Sequence, residues 1–142
     1  MRRAPPTHGQ ADWALAIEAL IWLGLTGAAL RLLSFKALMR LAAWPLGGVG
    51  LASDADRVGW AVCAAARRWP GRPACFQQGL AAQIMLRRRG LASRLFYGAR
   101  SNGAQGPRAH VWVRLADRDV VGGGPTAHYA VLAVAPSSDQ AD

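Results

Sequence analysis

Apolar and polar positions change period once along this chain. Up to about residue 90 the spacing is helical. The densest run, 13-WALAIEALIWLGLTGAALRLL-33, predicts a helix over about 12–33. Glu18 and Arg31 bracket an uncharged stretch shorter than the ~20 residues of a membrane span, so a buried core helix is expected. Because so much of its circumference is apolar, a helix lying on a membrane or covered by a partner stays open. Ser34 is a natural N-cap for a second helix to Ala43, and Pro45 with Gly47, Gly48 and Gly50 breaks the pattern. A third helix is expected over 54–69, with Asp54 at its positive end and Arg67 and Arg68 at its negative one. The prolines of 70-PGRPA-74 then force a turn. In 75-CFQQGLAAQIMLRRRG-90, Phe76, Leu80 and Ile84 form a helical stripe. Arg87, Arg88 and Arg89 suit its last turn, and Gly90 is a natural C′ residue.

From Leu91 the apolar residues fall into short β-branched or aromatic segments at 93–99, 109–115, 119–122 and 129–134. Between the first two lies 101-SNGAQGP-107, expected to be a flexible loop. Helices followed by antiparallel strands define an α+β chain whose small sheet packs on the helices. The 142 residues suffice for a single compact domain. Within it we expect a flexible N-terminus at 1–11, apolar helices at 12–50, a core at 51–136 and a flexible tail at 137–142.

Composition narrows the function classes. Hydrophobic residues at 52% and charged ones at 18% exclude a disordered, solvated chain. Seventeen Lys+Arg against eight Asp+Glu give a net charge of +9, almost all of it arginine, Lys36 being the single lysine. Such a surplus suits nucleic acid, an anionic membrane or an acidic protein. No nucleic-acid-binding module accompanies it, and the joint enrichment of Ala, Gly and Arg is what nucleotide composition alone produces, so nucleic acid is not an expected partner. Arg2 and Arg3 precede a polar, proline-containing stretch rather than an apolar signal region, so a cytoplasmic, reducing setting is expected, with no disulfide. Cys63 and Cys75 without a Cys/His cluster leave no expected metal site, and no cofactor is expected.

Two residues carry the candidate chemistry. Cys75 opens a helix, where unpaired backbone N–H groups and the helix dipole favour the thiolate, the nucleophilic form of cysteine. Gly79, one turn on, leaves room for approach to the sulfur. Cys63, mid-helix between Val62 and three alanines, reads instead as a small core hydrophobe. In 109-AHVWVRL-115, His110, Trp112 and Arg114 share one strand face and Val111, Val113 and Leu115 the other. A valine–leucine face belongs in a core, but an imidazole beside an indole is not explained by packing. If the imidazole face meets the cysteine-bearing helix, His110 can act as general base for the thiol. His8 and His128 have no comparable setting.

In order and spacing, 67-RRWPGRPACFQQGLAAQIMLRRRGLASRLFYGA-99, 109-AHVWVRL-115, 121-VGGGP-125 and 129-YAVL-132 resemble the transglutaminase-like cysteine protease superfamily. Within it the match is closer to the stand-alone leader peptidases of lasso-peptide biosynthesis. The resemblance spans about residues 57 to 134, and the preceding helices loosely. It implies a papain-like core in which Cys75 attacks the carbonyl at the leader–core junction of a ribosomally made precursor. His110 would take the thiol proton and return one to the departing amine, and the backbone N–H of Cys75 would serve as an oxyanion donor. It further implies three partners: the precursor leader peptide, a separate winged-helix precursor-recognition protein, and a lasso cyclase acting on the released core.

The family triad includes an Asp on the strand after the histidine strand. Asp119 has the chain order and, with a two-residue turn at Asp117-Arg118 pairing Ala116 with Asp119, the face of His110. Six residues along the strand, ~20 Å at ~3.3 Å each, argue against it in a regular hairpin, and a bulge would be needed. The positions opposite His110 fall in 122-GGGP-125, which has no carboxylate, so a dyad with a backbone carbonyl or water orienting the imidazole is the other reading. Asp117 reads as a solvated turn residue. Beside leader peptidase stand two rivals: a transglutaminase-like acyl transferase, and a non-catalytic basic scaffold that docks a membrane or an acidic partner through residues 13–43.

Overall fold

The computed structural model describes residues 9–51, 53–124 and 126–137. Helices α1 (Gln10–Leu32), α2 (Phe35–Ala42), α3 (Asp54–Arg68) and α4 (Cys75–Arg88) come first. Strands β1 (Arg94–Ser101), β2 (Pro107–Leu115), β3 (Arg118–Val121) and β4 (Ala130–Ala135) follow. The strands pair antiparallel in the order β3-β2-β1-β4. The expected α+β class is the one observed. The expected frayed termini lie mostly outside the described residues, but α1 already starts at Gln10, where Gly9 N–H donates to Asp12 at 3.2 Å.

Local signals explain most boundaries. The Ser34 hydroxyl accepts from Ala37 N–H at 3.2 Å and starts α2. At the end of α4, Gly90 takes φ +78°, so that its own N–H reaches Arg87 O at 3.0 Å and that of Leu91 reaches Leu86 O at 3.1 Å. This paired bond closes the helix. The 101–107 stretch is a hydrogen-bonded hairpin turn rather than an open loop. Asn102 N–H donates to Gly106 O at 3.1 Å, and the Asn102 side chain donates to Gln105 at 2.9 Å.

α4 is the central element. Leu80, Ile84 and Met85 are buried, in one core with Leu95, Val111 and Val113 of the sheet and Leu23 of α1. Two polar side chains inside this core act as staples. Gln83, 0% exposed, donates to Ala42 O at 2.7 Å, Ser93 O at 3.1 Å and Ala135 O at 3.0 Å, and accepts from the Ser93 hydroxyl at 2.7 Å. Arg87, in the last turn of α4 as expected, is buried and donates to Trp44 O and to Ser93 O. Buried polar groups are tolerated only when satisfied in this way.

Two expectations about burial are corrected. α1 is not a fully buried core helix. Leu15, Ala16, Ala19, Leu23 and Thr26 face inward, while Ile17, Ile21, Leu25 and Leu32 are exposed. By length and composition its 23 residues could cross a membrane, and only 22% of its most apolar window is buried. Cys63 is exposed, not a core hydrophobe. The 100° step per helical residue turns it outward between buried Val62 and Ala64.

Candidate active site

The course of α4 across the sheet sets the level of Cys75. The Phe76 and Tyr97 rings lie 6.0 Å apart. Gly79 lies against Val111, where a β-carbon would stand 2.6 Å from Val111 Cγ1, so glycine is what lets the helix seat this closely. One turn further, Gln83 bonds to Ser93 O and Ala135 O. α4 thus crosses the inner face of the sheet, packing on β2 as well as β1, with Gly79 against Val111 and Gln83 near Ser93 and Ala135. Cys75 lies four residues and about 6 Å before Gly79 along the helix axis.

Cys75 is the first residue of α4 and is exposed. Its N-cap, Ala74, supplies no side-chain acceptor, so the first-turn N–H groups are left to water or a ligand. The turn is held from both sides. Gln78 donates to Pro73 O at 3.0 Å. Gln77, 7% exposed, donates to Leu23 O at 2.8 Å, while its backbone O accepts from Thr26 Oγ1 at 3.1 Å. Through Leu23 and Thr26, α1 fixes the start of the cysteine-bearing helix, a role the sequence pattern did not reveal.

The His110 imidazole stacks on Trp112 at 5.9 Å and lies 5.2 Å from the Tyr129 ring, and Trp112 stacks in turn on Phe96. This aromatic layer covers the outer face of the sheet. The expectation that the His110–Trp112 face packs on the cysteine-bearing helix is therefore corrected. Val111, on the opposite face, meets Gly79 of α4. β3 pairs only with residues 113–115 of β2, so among the described residues the strand neighbour of His110 is β1, and the Gly122 segment lies beside Val111 and Trp112. Among the described residues no hydrogen bond joins Cys75 and His110.

The His110 Nε2 lies 2.7 Å from Gly122 O. A carbonyl only accepts, so Nε2 carries the hydrogen and Nδ1 of the neutral ring is the nitrogen open for proton exchange. Gly122 has φ +74°, and a β-carbon on it would stand 2.4 Å from Val111 O, so position 122 requires glycine on both counts. The imidazole thus has the backbone-carbonyl partner of the dyad reading. Asp119 is elsewhere. It pairs in register with Arg114, whose Nε donates to Asp119 Oδ1 at 2.8 Å, a bond that raises the guanidinium pKa further above its ordinary value. The expected turn is also one residue off. Ala116, at φ +53°, and Asp117 form it, Leu115 pairs with Arg118, and the bulge falls at Val120. Asp117 is exposed at this turn, while His128 is exposed in a short turn before β4. His8 lies outside the described residues.

Nearby, Trp112 Nε1 and Arg100 Nε are buried without an acceptor among the described residues, which leaves two donors in this layer for water or a bound carbonyl. Among the described residues no group of three or more His, Cys, Asp or Glu is placed to hold a metal ion.

A helix opening on cysteine, packed on an antiparallel sheet that presents histidine beside tryptophan, defines a thiol-enzyme architecture. The chain belongs to the transglutaminase-like superfamily, whose family model matches residues 19–134. That superfamily includes cysteine proteases and acyl transferases. No curated protein and no solved structure matches the chain significantly.

Proposed function

We propose that the protein is a cysteine peptidase that removes the leader from a lasso-type precursor peptide, with Cys75 as nucleophile and His110 as general base and acid. The observation that carries this reading is the 2.7 Å contact between His110 Nε2 and Gly122 O, together with Cys75 exposed at the first position of α4. With Nε2–H donated to Gly122 O, Nδ1 is the nitrogen left to accept a proton. In the proposed reaction Nδ1 takes the thiol proton as Sγ adds to the scissile carbonyl. The Cys75 N–H donates to the oxyanion. Collapse returns the proton to the departing amine and leaves a thioester. Water then adds with His110 again as base, and the leader leaves as a carboxylate. Asp119, engaged with Arg114, has no part in this scheme.

We further propose that the exposed stripe of α1 docks a separate winged-helix recognition protein, that a lasso cyclase receives the product, and that the protein works in the cytoplasm. The test is cleavage of precursor in the presence of the recognition protein by three forms: unaltered, Cys63→Ala and Cys75→Ala. Cleavage should survive the first substitution and vanish with the second, and retained cleavage in Cys75→Ala would overturn the assignment. Acyl transfer, which the superfamily also supports, is separated by product mass, since hydrolysis leaves a free carboxylate on the leader and transfer to an amine does not.

A further inference from the structure

We infer that the groove between α2 and β4 is a substrate-binding site for an extended peptide segment in which acidic and apolar residues alternate; this rests on the reading of Cys75 as a peptidase nucleophile. The groove, about 410 Å³, is lined by Phe35, Lys36, Met39 and Arg40 of α2 and by Val134 and Ala135 of β4. Its Phe35 wall meets the first turn of α4. The Phe35 ring lies 6.1 Å from that of Phe76, the residue next to Cys75, and 5.1 Å from that of Tyr97. Phe35 remains 46% exposed, so this aromatic wall is open to an occupant on its groove side. Met39 is partly buried, and its unbranched thioether adapts to differently shaped apolar side chains.

Charge selects the class of occupant. Lys36 and Arg40 are both exposed, α2 carries no acidic residue, and neither cation has an ion-pair partner among the described residues. They stand four residues apart on a helix, about 6 Å along its axis. In an extended peptide, side chains two residues apart point the same way and are spaced about 6.6 Å. Two carboxylates at alternate positions therefore match the two cations. Met39 lies between the two cations on the same helix face, and the residues between the carboxylates turn toward Val134 of β4.

The experiment measures fluorescence anisotropy on the Cys75→Ala protein, which binds without turnover. The probe is a fluorescein-labelled peptide Gly-Ser-Glu-Leu-Glu-Leu-Glu-Ser-Gly, compared with the same peptide carrying Lys in place of Glu. The acidic probe should bind saturably and about ten-fold more tightly than the basic one. Adding Lys36→Glu and Arg40→Glu should reverse that preference, and Met39→Glu should weaken both probes. Circular dichroism confirms that each variant is folded. Absence of saturable binding, or a preference indifferent to the charge swap, overturns the proposal. Cys75-dependent cleavage with no such binding refutes the groove alone, whereas binding without Cys75-dependent cleavage refutes the peptidase reading alone.

Discussion

In the proposed dyad His110 exchanges protons through the nitrogen its neighbour leaves open, and that neighbour is a main-chain oxygen. The Gly122 carbonyl fixes the ring at 2.7 Å but cannot neutralise an imidazolium as a carboxylate would. Asp119→Asn should therefore leave kcat/KM within about two-fold, because its partner is Arg114 and no proton passes through it. Gly122→Ala should reduce kcat/KM by at least about ten-fold, since the new β-carbon displaces the carbonyl that holds the ring. Steady-state cleavage rates for both variants check the pair, and a large loss in Asp119→Asn would restore the triad. At this scale the positions of Cys75 at a helix start and of His110 on an alternating strand were legible, because the local pattern marks both elements. Gly122 was not, because a main-chain carbonyl has no side-chain signature. Asp119 was read on the right face but in the wrong register, because Ala116 accepts a positive φ, a conformation alanine seldom signals.

Helix ends and strand positions were legible for a local reason. Ser34, the arginine pairs and Gly90 satisfy groups within a few residues of themselves, and such signals can be read from neighbours alone. Gln77 and Gln83 answer to distant partners and could not be placed that way, although a Gln inside an apolar stripe is itself a sign of buried backbone capture. Gln83→Met keeps volume but removes the donor from Ala42 O and Ala135 O and the acceptor from the Ser93 hydroxyl, while Ser93 O keeps Arg87. At about 1–3 kcal/mol for each buried group left unpaired, the variant should lose at least about 3 kcal/mol, measurable by urea unfolding. For Gly79→Ala two effects compete. Helix propensity gains about 1 kcal/mol, while overpacking against Val111 costs about 1–3 kcal/mol. The net should be a loss of up to about 2 kcal/mol together with lower activity, as the start of α4 lifts from the sheet.

Over the whole molecule, α1 joins two jobs that its composition alone could not separate. One stripe carries Leu23 and Thr26 to the start of α4, and the other leaves Ile17, Ile21 and Leu25 in solvent. Ile17→Glu with Leu25→Glu should change stability by less than about 1 kcal/mol, whereas Leu23→Ala, at a fully buried position, should cost about 2–5 kcal/mol. Thermal unfolding distinguishes them, and equal losses would mean that the exposed stripe is packed. The same surface also explains why the sequence read as a core helix: apolar residues all round a helix announce burial, but not by what. The central proposal is that the sulfur at the start of α4 and the His110 imidazole of β2 act as one unit. Iodoacetamide alkylation at pH 7, followed by mass spectrometry, tests it directly, with exposed Cys63 as the control in the same molecule. Cys75 should react at least about ten-fold faster than Cys63, and His110→Asn should remove that advantage. Equal rates for the two cysteines, or an advantage at Cys75 untouched by His110→Asn, would contradict the account.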